Sequence, residues 1–141
     1  MKYKFLFMVK IKLRSIFAVI VLLTSCQSNE ISFDVKNQIL VSCSSKKFDR
    51  FSVVNENNLD VYEFRFSASS CFAPDKVNIN KITKEFEIKK NMIMISVGDF
   101  KLSPLSRYTI RRTGGDASGY KIRIWTDSLG FVVKTTKPIC N

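Results

Sequence analysis

Apolar and polar residues alternate with a period of two in short runs along almost the whole chain, and this pattern restricts it to β structure. Tyr62, Phe64 and Phe66 alternate with Glu63 and Arg65, and Tyr108 and Ile110 with Thr109 and Arg111. Ile122 and Ile124 alternate with Lys121, Arg123 and Trp125, and Val77 and Ile79 with Asn78 and Asn80. Further runs cover residues 31–35, 39–43, 48–54 and 130–134. Met92-Ile93-Met94-Ile95-Ser96-Val97 is apolar on both faces, the pattern of a central strand. Turn chemistry separates the runs: Asn55-Glu56-Asn57-Asn58, Ala73-Pro74-Asp75, Thr113-Gly114-Gly115-Asp116 and Asp127-Ser128-Leu129-Gly130. No window of helical length carries an apolar stripe with caps, and the charged segment 81–90 reads as a hairpin or a single turn of helix. Seven to nine short strands in about 100 residues predict an all-β sandwich or barrel.

The N-terminal end carries an address rather than a fold. Lys2, Lys4, Lys10, Lys12 and Arg14 precede an apolar run over 16–23, which ends in Leu23-Thr24-Ser25-Cys26. A basic region, a short apolar region and small residues before a cut mark a secretory signal. The run is far shorter than the roughly 20 residues of a membrane span. Its ending resembles a lipobox, in which the cysteine receives diacylglycerol and cleavage follows between Ser25 and Cys26. The expected organisation is a signal peptide over 1–25, a lipidated Cys26 with a short tether over 26–30, and one β-domain over 31–141. Met8 opens a complete basic region of its own, so translation from Met1 or from Met8 is equally readable. Gln27, rather than an aspartate, follows the lipidated cysteine. By resemblance to Gram-negative lipoproteins, this implies a periplasmic protein released to the outer membrane, where three acyl chains exceed the two signals a stable anchor needs.

Removing the five basic residues of the signal from the 23 in the chain leaves 18 against 12 acidic ones, a net charge of +6. That surplus favours acidic partners or anionic headgroups through long-range attraction. The basic residues do not cluster with aromatics on a nucleic-acid motif, so no nucleic-acid partner is expected. The chain contains no histidine. This excludes the usual nucleophile–base pairs of hydrolases, and no cofactor or metal is expected. Glu85 and Glu87, the nearest thing to a paired acid and base, read instead as outward charges guarding an edge strand. Beyond Cys26, three cysteines remain, Cys43, Cys71 and Cys140, which allow one disulfide in any of three pairings. A weak preference falls on Cys43–Cys71. The polar run Arg111-Arg112-Thr113-Gly114-Gly115-Asp116 could cradle an anion on backbone N–H groups, although a hairpin loop accounts for its glycines more simply.

One motif separates sandwich from barrel. Leu102-Ser103-Pro104-Leu105-Ser106-Arg107-Tyr108-Thr109-Ile110 resembles the L-x-P-x-T-x-Y stretch of fibronectin type III domains, with Ser106 in place of the threonine. The resemblance implies an immunoglobulin-like or fibronectin-like sandwich. It makes Tyr108 a tyrosine corner, whose hydroxyl hydrogen-bonds to backbone a few residues upstream. The tryptophan expected in such a core is missing, since Trp125 lies near the end.

Lipobox, early cysteine after a valine-containing strand, and late L-x-P-x-x-x-Y-x-I motif together resemble a family of type VI secretion immunity lipoproteins. That likeness implies a non-catalytic role, binding and occluding a toxin delivered into the periplasm, and the +6 surplus points to an acidic surface on that toxin. It transfers no functional residues, and Cys71 and Cys140 depart from its pattern. A structural or accessory lipoprotein of an envelope or secretion complex is the alternative reading. Inhibition of a lysozyme is disfavoured, because lysozymes are usually basic and like charges repel.

Overall fold

The computed structural model describes residues 30–44, 46–69, 72–113 and 120–140. Ser25, Cys26, Cys71 and the loop 114–119 lie outside the described residues. Ten strands form: β1 (Ile31–Asp34), β2 (Ile39–Ser42), β3 (Arg50–Asn55), β4 (Val61–Phe66), β5 (Lys76–Asn78), β6 (Phe86–Lys90), β7 (Ile93–Ile95), β8 (Arg107–Arg112), β9 (Lys121–Thr126) and β10 (Val132–Thr135). All pairings are antiparallel. One sheet has the order β1-β2-β5, the other β10-β9-β8-β3-β4-β6-β7. Seven of these strands reproduce the A-B-E and G-F-C-C′ pairing of a fibronectin type III sandwich. β6 and β7 widen one edge of the larger sheet and β10 the other, which takes the strand number past the expected nine.

The alternating pattern dictates which faces meet. Ile31, Phe33, Leu40 and Val77 point inward from the small sheet. Phe51, Val53, Phe64, Ile88, Tyr108, Ile110, Ile122 and Ile124 point inward from the large one, and both sets belong to one core cluster. Phe51 takes the central place that a tryptophan would hold. Its ring stacks on that of Phe64 at 4.4 Å and meets the edges of Phe48 and Phe86.

Three readings need correction. Residues 92–97 do not form a central strand. β7 is three residues long and pairs with β6 alone, and it leaves Ile93 and Met94 exposed at the sheet edge. β6 is consequently an inner strand, so Glu87 does not guard an edge, and Glu85 lies in the segment before it. The favoured Cys43–Cys71 pairing also gives way: Cys43 bonds Cys140, with Cα atoms 5.2 Å apart. The cause is the path of the C-terminal tail. After β10 it folds back along β1, where the Phe33 N–H donates to the Lys137 carbonyl and Lys137 pairs with Glu30. Cys140 thereby arrives beside Cys43 at the end of β2.

Tyr108 is buried, and its hydroxyl accepts the Ser103 backbone N–H at 2.6 Å and the Asn55 side-chain amide at 3.2 Å. The contact therefore reaches five residues upstream to a backbone N–H, instead of to a carbonyl. Tyr108→Phe leaves both donors without this acceptor and is expected to cost about 1–3 kcal/mol. A drop in the urea midpoint checks this, and an unchanged midpoint would make Tyr108 only a core aromatic.

Candidate functional site

β8 runs from Arg107 at one end of the sandwich to Arg112 at the other, and the two ends differ in chemistry. At the Arg112 end lie Glu30 and the Cys43–Cys140 bridge. The second arginine of the 111–116 run turns inward here. The Arg112 guanidinium is buried over the Phe48 ring and donates to the Ser42 hydroxyl and the Lys47 carbonyl. It ties β8 to the end of β2 and is structural. Arg111 points the other way, onto the outer face of the large sheet.

On the large sheet, the Arg107 end is built from four turns. After β3, the Asn55 side chain accepts the Asn57 N–H and the Asn58 side chain accepts the Asp60 N–H, forming a tight polar loop. Between β6 and β7 the turn is Asn91-Met92, both residues at positive φ, as a two-residue hairpin of this hand requires. Pro104 and Leu105 form the third. The fourth follows β9, where the Asp127 carboxylate accepts the Leu129 and Phe131 N–H groups. Gly130, at φ 86°, sits where a Cβ would come within 2.6 Å of the Leu102 carbonyl.

Each turn tip is a large apolar residue in water: Leu59 is 74% exposed, Met92 87%, Leu105 74% and Leu129 76%. Three of them are also conformationally costly, with φ of 64° at Leu59, 72° at Met92 and 47° at Leu105. Left-handed backbone favours glycine or asparagine, and a side chain like leucine costs about 1–2 kcal/mol there.

Hydrogen bonds brace the tips against one another. The Asn91 side chain accepts the Val61 N–H and donates to Asp60, joining the Met92 and Leu59 turns. The Arg107 N–H donates to the Asn57 side chain and the Glu56 N–H to the Arg107 carbonyl, linking Leu59 to the segment behind Leu105. The Leu105 N–H donates to the Asp127 carbonyl, which joins the third and fourth turns. Two acids at this end are paired internally, Glu56 with Arg107 and Arg123, and Asp60 with Lys90. The Thr109 hydroxyl first, and then Arg107, hold the Glu56 carboxyl below its ordinary pKa. Lys90 and then Asn91 do the same for Asp60.

No family model, no curated protein and no solved structure matches this chain. Among the described residues, no group of three or more His, Cys, Asp or Glu could hold a metal ion, and no helix is long and apolar enough to cross a membrane.

Of the polar run 111–116, Arg111 and Arg112 lie at one end of β8. The opposite set of loops carries the apolar tips. Their signal was present as Asn91-Met92 between two alternating runs and as Leu59 after the asparagine-rich turn. Both resemble hairpin punctuation, with an apolar side chain where a glycine usually stands.

Proposed function

We propose that the chain is an exported, lipid-anchored binding protein that grips a protein partner at the Leu59–Met92–Leu105–Leu129 pole and works by occlusion rather than catalysis. The observation that carries this is a rigid set of apolar tips held in unfavourable backbone conformations. Strain of this kind persists only where surrounding structure enforces it, and it concentrates at functional positions. Four exposed apolar side chains beside the paired Glu56 and Asp60 can bury area against a partner while those two carboxylates keep their cations. A six-residue strand spans about 20 Å. A lipid on Cys26, next to Glu30, would therefore leave this pole facing the compartment, away from its own bilayer. The domain's positive surplus adds long-range attraction towards an acidic partner surface, so association should slow as salt rises.

The partner we propose is a toxin delivered by a type VI secretion apparatus, on the strength of the lipobox and the 102–110 motif. An immunity protein has to hold its toxin at nanomolar Kd or tighter, about −12 kcal/mol. The test is a deletion strain challenged by sibling attackers with an active type VI apparatus that carries a candidate toxin from a reading frame adjacent to this gene. The deletion strain should be killed and rescued by the wild-type chain. Survival equal to the parent would replace immunity with the accessory-lipoprotein reading.

A further inference from the structure

The outer face of the large sheet holds a feature with no part in the proposed partner contact. Antiparallel register places Arg50 of β3 directly opposite Arg65 of β4. Arg111 of β8 stands opposite Ser52, one diagonal step from Arg50. Thr113 completes the corner, its N–H donating to the Arg50 carbonyl. Directly opposed residues in a sheet have Cβ atoms about 5 Å apart and diagonal neighbours about 7–8 Å, so like charges placed this way destabilise the fold. Among the described residues, none of these three guanidinium groups closes an ion pair. Glu87 lies opposite Arg65 and Glu63 opposite Ser52 and Lys89, yet neither carboxylate comes within ion-pair distance of an arginine. All of these residues line one open depression of about 560 Å³. Three neighbouring arginines that close no ion pair among the described residues point to an anion that arrives from outside.

We propose that Arg50, Arg65 and Arg111, with the hydroxyls of Ser52 and Thr113, form a binding site for a phosphate group. Guanidinium groups present paired N–H donors that match phosphate oxygens, and hydroxyls complete the tetrahedral shell. Glu63 stands opposite Ser52 and Glu87 opposite Arg65, so the two carboxylates bound the site on its β4–β6 side and leave the anion the Arg50–Arg111 side. The corner lies on the outer face of the large sheet, at the same end of the sandwich as Glu30 and the Cys43–Cys140 bridge. A lipid on Cys26 would hold this end against phospholipid headgroups. The phosphate of a headgroup and free phosphate share the chemistry the site reads.

The experiment is calorimetric titration of the full-length protein in non-ionic detergent at constant ionic strength. The probes are inorganic phosphate, short-chain phosphatidylglycerol and short-chain phosphatidylcholine, with chloride as the blank. Saturable binding is expected for at least one phosphate probe, weakened tenfold or more in R65Q and in R111Q. Arg111 stands opposite Lys121 of β9, so R111Q removes a like-charge pair and should melt no lower than the wild type, which separates lost binding from lost folding. Tighter binding of phosphatidylglycerol than of inorganic phosphate would identify a headgroup site, and the reverse order a soluble phosphate site. Absence of saturable binding by every probe, or equal affinity in wild type and both variants, would overturn the proposal. The immunity challenge does not depend on this outcome.

Discussion

Cys140→Ser is expected to lower the free energy of unfolding by about 4–5 kcal/mol, the largest single effect foreseen for this domain. The bridge to Cys43 spans 97 residues of sequence, so it encloses nearly the whole sandwich and removes a large share of the unfolded chain's freedom. It also fastens the tail that covers β1, where the buried Ser32 hydroxyl lies 3.3 Å from the Cys140 sulfur. Urea unfolding of oxidised wild type and of Cys140→Ser measures the loss, and Cys43→Ser should match it. Non-reducing peptide mapping supplies the independent check. A linked Cys43–Cys140 peptide is the expected result, and a linked Cys43–Cys71 peptide would contradict the path of the tail.

Phe51→Ala should cost about 3–5 kcal/mol, since the ring is fully buried and its removal leaves a cavity walled by other aromatics. Phe51 and Phe64 are cross-strand partners whose rings stack at an interplanar angle of 1°, while Phe48 and Phe86 close against Phe51 edge-on. Those neighbours are anchored on separate elements and cannot all collapse into the gap. A domain of this size has a total stability of about 5–15 kcal/mol, so the variant should be largely destabilised at 37 °C. Phe51→Leu retains most of the volume and should lose clearly less. Equal losses in the two variants would mean that ring stacking, rather than filled volume, dominates the site.

Strand identity was legible in the sequence because burial on one face imprints a period of two, as at Tyr62–Phe66 and Lys121–Thr126. The motif at Leu102–Ile110 located the strand that Tyr108 opens. Neither signal reports what covers an apolar surface. Residues 92–95 are apolar on both faces whether a second sheet or an outside partner is to cover them. The two cases separate only when β7 is seen to pair on one side. The disulfide was open for a related reason: the spacing of the cysteines does not say where the tail runs, and its hydrogen bonds with β1 bring Cys140 to Cys43. The loop pole was the least legible. A positive φ at Leu59, Met92 or Leu105 is a property of the closed fold, and sequence rules expect glycine or asparagine there. The outward arginines Arg50, Arg65 and Arg111 each sit in an ordinary alternating strand, and their proximity follows only from register.

The central claim, that strained apolar tips serve binding at the expense of stability, makes two opposite predictions for one protein. The variant Leu59→Asn, Met92→Asn, Leu105→Asn places asparagine at three left-handed positions that it tolerates. Each replacement should return about 0.5–1 kcal/mol, so the triple variant should melt several degrees above wild type. The same variant should fail to protect the deletion strain against type VI attackers, although it is exported and accumulates normally. Higher stability together with lost protection is the result the account predicts. A triple variant that protects as well as wild type would contradict it.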